Sequence, residues 1–347
     1  MTLRIVDGPP GPPWEGDLEG SFDRLTVASE LLADNPLGDP ARRPLYVYVP
    51  AAADGSLPSV YVIQGLTGQL DMWGNRPAFR RTMIERVDDL FSARGCPPAV
   101  VVFVDAWTRF GGAQFLNSAG NGRYMDYLCD EIVPFVDDRY ETLTHPGSRG
   151  ITGHSSGGYG AMVVSMQRPD VFGGFVSSAG DALFEVCYLP DFPKSARTLR
   201  DRYDGSWDRF LEAFAESDPF DWDTMASLMN DWSMGLAYSP DPSAPGRAQV
   251  PYDVNGRLIP EVWDLWLDHD PVRMVPRYVG ALRSLKLVRI EAGRSDEYNL
   301  DLGASALSAA LEQHGIDHTL DLFDGKHGGL LYRYPDHLRY LAEALTR

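Results

Sequence analysis

Lysine, cysteine and long apolar runs are all scarce in this sequence. Only three of its 31 basic residues are lysines, at positions 194, 286 and 326. The three cysteines in 347 residues show no metal-ligand spacing, and so few predict no disulfide framework. No apolar segment approaches the length of about 20 residues that a membrane-spanning helix needs. These absences exclude a zinc module, a disulfide-stapled module and a transmembrane protein.

Positive charge is also in short supply. With 49 Asp and Glu against 31 Lys and Arg, the formal net charge is −18 at pH 7. Polyanions would be repelled, which argues against nucleic acid or an anionic membrane surface as a partner. The first residues lack the apolar centre of a secretory signal, so a cytoplasmic location is expected. The sequence leaves a homo-oligomer open.

A serine-centred motif lies between a β-prone run and a helical pattern. Gly153-His154-Ser155-Ser156-Gly157 matches G-x-S-x-G, and further glycines follow at 158 and 160. A serine in a sharp turn between strand and helix projects its hydroxyl at the carboxyl edge of a sheet, near the free N–H groups of a helix N-terminus. This context predicts that Ser155 is a nucleophile, whereas the motif alone would also suit a plain glycine-rich turn.

Short apolar runs alternate with amphipathic segments along most of the chain. Buried strands are predicted at 58–64 and 99–105, and further strands at 173–180, 286–292 and 318–323. Helices are predicted at 76–94, 121–140, 275–284, 303–313 and 334–346. Two β-prone runs at 24–32 and 43–49 predict an antiparallel pair at a sheet edge, after an irregular arm over 1–20. The pattern predicts an α/β fold, with a mostly parallel central sheet and helices on both faces.

The alternation stops between residues 181 and 272. This stretch is dense in aromatic residues and methionine, and includes Trp222, Trp232, Trp263 and Trp266. We expect a mostly helical cap inserted over the carboxyl edge of the sheet, and a core made of 1–180 and 273–347. The four tryptophans are candidate pocket residues, because apolar pockets gain most from burying area. A packing subdomain away from the site is the alternative.

A serine hydroxyl needs a base to take its proton and an acid to orient that base. An acid follows the strand at 286–292, where we favour Asp296 and keep Glu297 as the neighbouring candidate. A histidine between loop glycines, His327, follows the last predicted strand. If the sheet is parallel, both loops lie at the same edge as Ser155.

The other histidines are weaker candidates. His154 precedes the serine within the motif, so we expect its side chain to point away from the hydroxyl and to pack beside the turn. His314 and His337 lie on helical patterns that predict surface positions.

The tetrahedral intermediate of acyl transfer needs hydrogen-bond donors for its oxyanion. One is expected to be the backbone N–H of Ser156, the residue after the candidate nucleophile. The other is expected from the loop QGLTG at 64–68, after the first central strand. We favour the N–H of Leu66 there, with Gly65 as the neighbouring candidate.

With these segments placed, the chain resembles the esterase D branch of the α/β-hydrolases. That branch includes S-formylglutathione hydrolases, feruloyl and acetyl-xylan esterases, trilactone-siderophore esterases and mycolyltransferases. The segments that carry the resemblance are VIQGLTG at 62–68, GGAQFLNS at 111–118, YMDYLCDEIVPFVD at 124–137, GHSSGGYGAM at 153–162, AGRSDE at 292–297 and DGKH at 324–327. The resemblance covers about residues 40–180 and 275–347.

This resemblance implies an α/β-hydrolase fold and maps Ser155, Asp296 and His327 onto the triad. It also maps Leu66 and Ser156 onto the oxyanion donors. The stretch 181–272 is longer and richer in tryptophan than in the compact members, so no particular substrate is carried over.

We therefore expect a serine carboxylic-ester hydrolase that acts through an acyl-enzyme on a small or medium ester with an apolar or aromatic group. No cofactor or metal is implied, and the acidic cluster at 218–223 lacks the ligand spacing of a calcium loop. An acyltransferase with the same triad and a non-catalytic binding protein of the same fold are the alternatives. Amide hydrolysis also stays open.

Overall fold

A computed structural model describes residues 17–51, 55–76, 78–93 and 95–347. Most of the arm predicted over residues 1–20 lies outside the described residues. Within the described ranges, no helix combines the length and the apolar character that crossing a membrane requires. Cys96, Cys129 and Cys187 are all free thiols.

The centre of the molecule is an eight-stranded sheet in the order β1-β2-β4-β3-β9-β10-β11-β12. In chain order the strands are β1 (Ser21–Ala28), β2 (Arg42–Val49), β3 (Ser59–Ile63), β4 (Val100–Val104), β5 (Trp107–Thr108), β6 (Gly111–Gly112), β7 (Asn117–Ser118), β8 (Gly122–Arg123), β9 (Arg149–His154), β10 (Gly174–Ser178), β11 (Leu287–Gly293) and β12 (Thr319–Phe323). The strands β5–β6 and β7–β8 form two small ladders outside the sheet. From β4 to β12 the main strands are parallel, and β1 and β2 form the predicted antiparallel edge.

The central strands are buried on both faces, which explains their continuous apolar sequences. In β3, Tyr61 and Ile63 pack into the core on one face, whereas Val60 and Val62 pack into the core on the other. Every residue of β3 and β4 is buried. The predicted mostly parallel sheet is thereby confirmed.

Helices cover both faces of the sheet. They are α1 (Met83–Ser92), α2 (Tyr124–Asp126), α3 (Val133–Tyr140), α4 (Ser156–Gln167), α5 (Phe184–Cys187), α6 (Phe192–Tyr203), α7 (Trp207–Glu216), α8 (Trp222–Tyr238), α9 (Pro260–Leu267), α10 (Pro271–Met274), α11 (Val279–Ser284), α12 (Leu300–Gln313) and α13 (Tyr334–Leu345). Helices α1 and α13 share one core through Val87 and Leu338. Helices α4 and α12 belong to the opposite core, through Met162 and Leu307.

Two helices differ from their predicted bounds for local reasons. Helix α1 begins only at Met83 because Thr82 caps it, and Thr82 and Glu85 exchange the reciprocal bonds of a capping box. The single helix predicted over 121–140 is divided into α2, a π-helical turn at Tyr127–Ile132, and α3. Pro134 follows the π-helical turn by two residues, and because helical residues precede it, its missing N–H removes one helical hydrogen bond there.

The stretch 181–272 is mostly helical, as predicted, and spans α5 to α9. It has an apolar core of its own, formed by Leu199, Tyr203, Phe210, Met225, Leu228 and Met229. It also packs on the sheet domain, since Tyr159 of α4 donates its hydroxyl to the carbonyl of His269 over 3.1 Å. Asn299, which precedes α12, donates to the carbonyl of Val186 over 3.1 Å. The insertion therefore borders the loop that carries Asp296.

Candidate active site

Ser155 occupies a strained turn between β9 and α4. Its backbone has φ 59° and ψ −128°, a conformation that residues with a side chain rarely adopt. The turn is so tight that a Cβ on Gly153 would come within 2.4 Å of the backbone of Gly157. Only glycine fits there, because strand and helix nearly touch. The strain is therefore built into the motif, and it leaves the side chain of Ser155 partly exposed at the sheet edge.

Three side chains from three loops form a continuous hydrogen-bonded chain at this edge. The Nε2 atom of His327 lies 3.1 Å from the Oγ of Ser155. The Nδ1 atom of the same ring lies 2.8 Å from Oδ2 of Asp296. The Asp296 side chain is fully buried, while that of His327 is 16% exposed. This arrangement can move a proton from the hydroxyl to the ring and hold the resulting imidazolium beside a carboxylate.

Glu297, the neighbouring acid candidate, contacts the main chain instead. Its Oε2 accepts a hydrogen bond from the backbone N–H of His327 over 2.9 Å. Its Oε1 lies 3.3 Å from the ammonium of Lys326. Asp296 therefore contacts the imidazole of His327, whereas Glu297 holds the main chain of the loop on which His327 lies.

The two loops that carry Asp296 and His327 are tied to each other. The N–H of Ser295 donates to the carbonyl of Gly325 over 3.0 Å, and that of Arg294 donates to Phe323 over 2.8 Å. A Cβ on Gly293 would come within 2.5 Å of the Gly325 carbonyl oxygen. The close approach fixes the distance between acid and histidine.

Two further rings contact the imidazole of His327. The ring of His154 lies 4.6 Å from it, centre to centre, and the ring of Tyr298 lies 4.8 Å away, edge to face. Burial, and then the charge of His327, lower the pKa of His154 to about 3, so His154 is neutral at pH 7. His154 therefore packs beside the turn, as predicted. Tyr298 is 52% exposed, and no sequence pattern identifies this loop tyrosine as a site residue.

The loop at 64–68 runs alongside Ser155. A Cβ on Gly65 would lie 3.2 Å from the Cβ of Ser155 and 3.8 Å from its Oγ. The carbonyl of Leu66 accepts a hydrogen bond from Gly112 over 2.8 Å, which holds the loop from outside. Ser156 is the first residue of α4, so its N–H has no acceptor within the helix. The two candidate donors thus come from segments that flank the serine hydroxyl.

Three of the four candidate pocket tryptophans fill hydrophobic cores, since Trp263 and Trp266 belong to the core shared with the sheet and Trp232 to a small cluster with Leu37. Trp232, Trp263 and Trp266 are at most 6% exposed, and Trp266 donates its indole N–H to Oγ of Ser239 over 2.7 Å. Trp222 is 61% exposed and packs on Phe220. Among the described residues, no hydrogen bond or ring contact joins any of them to Ser155, His327 or Asp296, and their assignment to a pocket stays a prediction.

The predicted surface position of His337 is wrong. It was expected on the surface of the last helix, but it is 1% exposed. Its Nε2 lies 2.7 Å from Oε1 of the buried Glu291, and its Nδ1 lies 3.3 Å from Oγ1 of Thr152. A helical pattern could not reveal this, because the partner carboxylate comes from a strand 46 residues away in the sequence.

Over the ranges that the structure describes, no three His, Cys, Asp or Glu side chains gather into a group that could hold a metal ion.

Comparison with known families decides the affiliation. Residues 40–328, most of the chain, match the family model "Esterase", described as "Putative esterase". The chain belongs to the esterase family. This places it among the serine esterases and confirms the resemblance to the esterase D branch.

A curated sequence and several solved structures are also similar to this chain. The chain is 24% identical over 142 residues to "Uncharacterized protein YbbA" of Bacillus subtilis (strain 168), a match that covers 38% of this chain and 52% of the relative. The chain thus spans about half the length of this curated relative. The fold is similar to that of a ferulic acid esterase, with a TM-score of 0.59 at 14% identity, covering 95% of this chain and 100% of that one.

Two more solved structures share the fold. An S-formylglutathione hydrolase from Agrobacterium tumefaciens has a TM-score of 0.58 at 18% identity, covering 95% of this chain and 98% of that one. The fluorophosphonate-binding serine hydrolase FphF from Staphylococcus aureus, solved with substrate bound, has a TM-score of 0.55 at 14% identity, covering 94% and 99%. At these identities the likeness is one of fold, and the predicted α/β-hydrolase fold is confirmed.

Proposed function

We propose that this protein is a serine carboxylic-ester hydrolase that works through an acyl-enzyme. The observation that carries the proposal is the chain from Ser155 through His327 to Asp296, at 3.1 and 2.8 Å, with the serine in a strained turn. Ser155 is the nucleophile, His327 the base and Asp296 the acid that orients it.

In the first half-reaction, Oγ of Ser155 attacks the acyl carbonyl carbon and its proton passes to Nε2 of His327. The oxyanion that forms lies between the N–H groups of Leu66 and Ser156. The C–O bond to the alcohol then breaks, and the imidazolium returns the proton to the leaving oxygen. In the second half-reaction, water gives its proton to His327 and attacks the ester carbonyl of the acyl-serine. Collapse releases the acid and restores the Ser155 hydroxyl.

The roles of the two halves of the chain follow from the contacts around the site. Residues 1–180 and 273–347 supply all five proposed functional groups. Residues 181–272 act as a cap, supported by the contact of Val186 with Asn299 beside the acid loop. Tyr298, half-exposed and in contact with the base, favours an apolar or aromatic group on a small or medium ester.

The proposal is tested with a fluorophosphonate probe, the reagent class for which the structurally similar FphF is named. Wild-type protein is expected to form one adduct, located on Ser155 by peptide mass spectrometry, and to lose its activity on p-nitrophenyl esters in parallel. Ser155→Ala is expected to give no adduct. A folded wild-type protein that stays unlabelled, or is labelled on another residue, would overturn the assignment of the nucleophile.

The acyl-enzyme itself is tested by rapid mixing. Excess p-nitrophenyl ester should release a burst of one equivalent of p-nitrophenol, followed by a slower steady rate when deacylation limits turnover. Intact-protein mass spectrometry after an acid quench should show Ser155 carrying the acyl group. Absence of the acyl adduct during rapid turnover would favour direct attack by water.

A further inference from the structure

A carboxyl group that the proposed mechanism does not use lies beside the triad. Strand β10 pairs with β9 on one side and β11 on the other, and its last residue, Ser178, is in register with His154 and Glu291. Asp181 follows Ser178 by three residues, at the carboxyl edge of the sheet. The strand that leads to Asp181 thus lies between the strand that leads to Ser155 and the strand that leads to Asp296.

Neighbouring side chains hold this carboxyl in a defined position. Oδ2 of Asp181 accepts hydrogen bonds from Nε2 of Gln114 over 3.1 Å and from the hydroxyl of Tyr188 over 3.0 Å. Gln114 also donates to the hydroxyl of Tyr238 over 2.8 Å. Asp181 is 8% exposed and Gln114 is 1% exposed. The group is therefore preorganised by residues from the sheet domain and from the insertion.

The loop that carries Gln114 also contacts the oxyanion loop. The N–H of Gly112 donates to the carbonyl of Leu66, and a Cβ on Gly111 would come within 2.6 Å of that same oxygen. Gln114 and Phe115 both have positive φ, at 56° and 52°. Positive φ at two consecutive residues with side chains is uncommon. The segment 111–115 contacts Leu66 through its glycines and Asp181 through Gln114.

Two acceptor atoms in this group have no donor within the described part of the chain. Oε1 of Gln114 is buried without a hydrogen-bond partner. Oδ1 of Asp181 receives no hydrogen bond either, but unlike the Gln114 oxygen it is not sealed from solvent. Of the two, Oδ1 of Asp181 is the acceptor that a ligand can reach, and a ligand that supplies a donor to it gains a hydrogen bond.

The electrostatics agree with a position next to the triad. Burial raises the pKa of the Asp181 carboxyl, and the hydrogen bonds from Gln114 and Tyr188 oppose that rise. The charges of His327 and Asp296 also act on this pKa, His327 lowering it and Asp296 raising it. These interactions agree with the strand register, which puts β10, the strand before Asp181, between the strands that precede Ser155 and Asp296.

We propose that Asp181 and Gln114 form a polar subsite for a hydrogen-bond donor carried by the ester, a hydroxyl or a protonated amine. The inference rests on the proposed esterase function and narrows its substrate class. The substrate is an ester with an apolar portion and a donor within a few bonds of the scissile carbonyl. The net charge of −18 favours such a neutral or cationic group over an anionic one.

The competing interpretation is that Asp181 only anchors the insertion to the sheet domain. An anchor would affect all esters alike and would lower the melting temperature. A subsite discriminates between esters that differ only in the donor, because only those substrates lose a charge-assisted hydrogen bond. The test therefore compares matched substrates rather than total activity.

The experiment measures kcat/KM of wild type and Asp181→Asn on two pairs of acetate esters. The first pair is dimethylaminoethyl acetate and isoamyl acetate, in which carbon replaces the protonated nitrogen. The second pair is hydroxypropyl acetate and n-butyl acetate. We expect Asp181→Asn to lower kcat/KM about tenfold or more for the two donor-bearing esters and to change that of their isosteres less than about threefold.

Asp231→Asn is the matched control. Asp231 is a fully buried carboxyl that accepts a hydrogen bond from the hydroxyl of Tyr252 over 2.7 Å, and it lies in the middle of α8 rather than at the sheet edge. It should leave the ratio of kcat/KM within each substrate pair unchanged. Equal losses for both members of a pair in Asp181→Asn, or no loss, would overturn the subsite.

Failure of the proposed function gives a different result. Wild-type protein that neither hydrolyses any ester nor reacts with the fluorophosphonate probe would refute the esterase, whatever Asp181 does. The subsite is then tested by calorimetric titration of the Ser155→Ala protein with dimethylaminoethanol. Binding that Asp181→Asn weakens about tenfold supports the subsite, and binding that it leaves unchanged overturns it.

Discussion

In two groups of hydroxyl, histidine and carboxylate, the hydroxyl and the carboxylate lie in or just after strands β9 and β11, and only one group has the features of an active site. In the first, His327 bridges Ser155 and Asp296 at 3.1 and 2.8 Å. In the second, His337 bridges Thr152 and Glu291 at 3.3 and 2.7 Å. Since the distances are so similar, the spacing of three side chains does not by itself identify a catalytic site.

The difference lies in the backbone and in access to solvent. Thr152 is inside the regular strand β9 and is fully buried, as is Glu291. Ser155 lies in a turn with positive φ, partly exposed, at the N-terminus of α4 and next to Gly65 of the loop at 64–68. A nucleophile needs room for a carbonyl carbon, and the buried hydroxyl of Thr152 has none.

The second group is also balanced as an ion pair. Arg333 donates two hydrogen bonds to Glu291, over 2.7 and 2.8 Å. Burial alone would raise the pKa of Glu291, but the bonds and charges of His337 and Arg333 outweigh it and lower the pKa to about 2. Ser178 adds a further bond to Glu291 over 3.1 Å. This network ties β9, β10, β11 and α13 together directly beneath the site.

Removing the hydroxyl of Ser155 should lower kcat far more than removing that of Thr152. Ser155→Ala is expected to lower kcat by about 10⁴-fold or more, because no other group can form the acyl-enzyme. Thr152→Val, which removes a hydroxyl from the sealed group, should keep kcat within about threefold. Both are measured as p-nitrophenyl ester hydrolysis with protein whose folding is checked by circular dichroism. A Thr152→Val loss as large as that of Ser155→Ala would contradict the distinction.

Replacing Asp296 should also lower kcat much more than replacing Glu297. Asp296→Asn is expected to lower kcat about 10³- to 10⁴-fold, because the amide no longer stabilises the imidazolium. Glu297→Gln keeps an acceptor for the N–H of His327 and should cost less than about tenfold. Steady-state kinetics of the two variants decide between them. Larger damage from Glu297→Gln would show that the acid had been assigned to the wrong residue.

Glu291→Gln should affect stability and its pH dependence. A lowered folded-state pKa stabilises the protein above the ordinary pKa of about 4.5, and that contribution disappears as pH falls toward 2. The variant is expected to lose about 3 kcal/mol of unfolding free energy at pH 7. Its difference from wild type should shrink between pH 4.5 and pH 2, as measured by urea denaturation across that range.

The control for this measurement is Glu312→Gln, at an exposed position of α12. It should change the unfolding free energy by less than about 0.5 kcal/mol at any pH. A Glu291→Gln protein whose stability follows wild type at every pH would show that the buried network contributes no net free energy, as some buried ion pairs do.

The smallest expected effect concerns the ring between the two groups. His154 has a pKa near 3 and contacts His327 only through its ring, so it acts as a neutral packing surface. His154→Phe should therefore leave kcat/KM within about threefold and leave the apparent pKa of the base in the pH–rate profile unchanged. A shift of that apparent pKa by more than about one unit would assign His154 an electrostatic role.

Local patterns were sufficient where the chemistry is local. The glycines around Ser155 predict a turn that no larger residue fits, and the structure shows the close approach of Gly153 and Gly157 that explains them. Continuous apolar runs predicted the buried strands, because a strand covered on both faces has no polar side. The chain order of Ser155, Asp296 and His327 on parallel strands predicted that their loops would meet.

Patterns failed where partners come from distant segments. The buried His337 has its partner in Glu291 of strand β11, and the periodicity of α13 contains no information about that strand. The choice between Asp296 and Glu297 depends on how their loop pairs with the loop at 324–327. The insertion tryptophans were chosen by composition, which cannot distinguish a ring that lines a pocket from a ring such as Trp266 that fills a core.

By itself, the sequence determined the α/β order of elements, the strained serine turn and the residues available as base and acid. These properties depend on periodicity and backbone sterics, which act over a few residues. Only the tertiary structure decided which carboxylate faces which histidine, and that Asp181 follows the strand between those that precede Ser155 and Asp296. Those outcomes depend on strand register and loop pairing, which bring together atoms more than a hundred residues apart in the sequence.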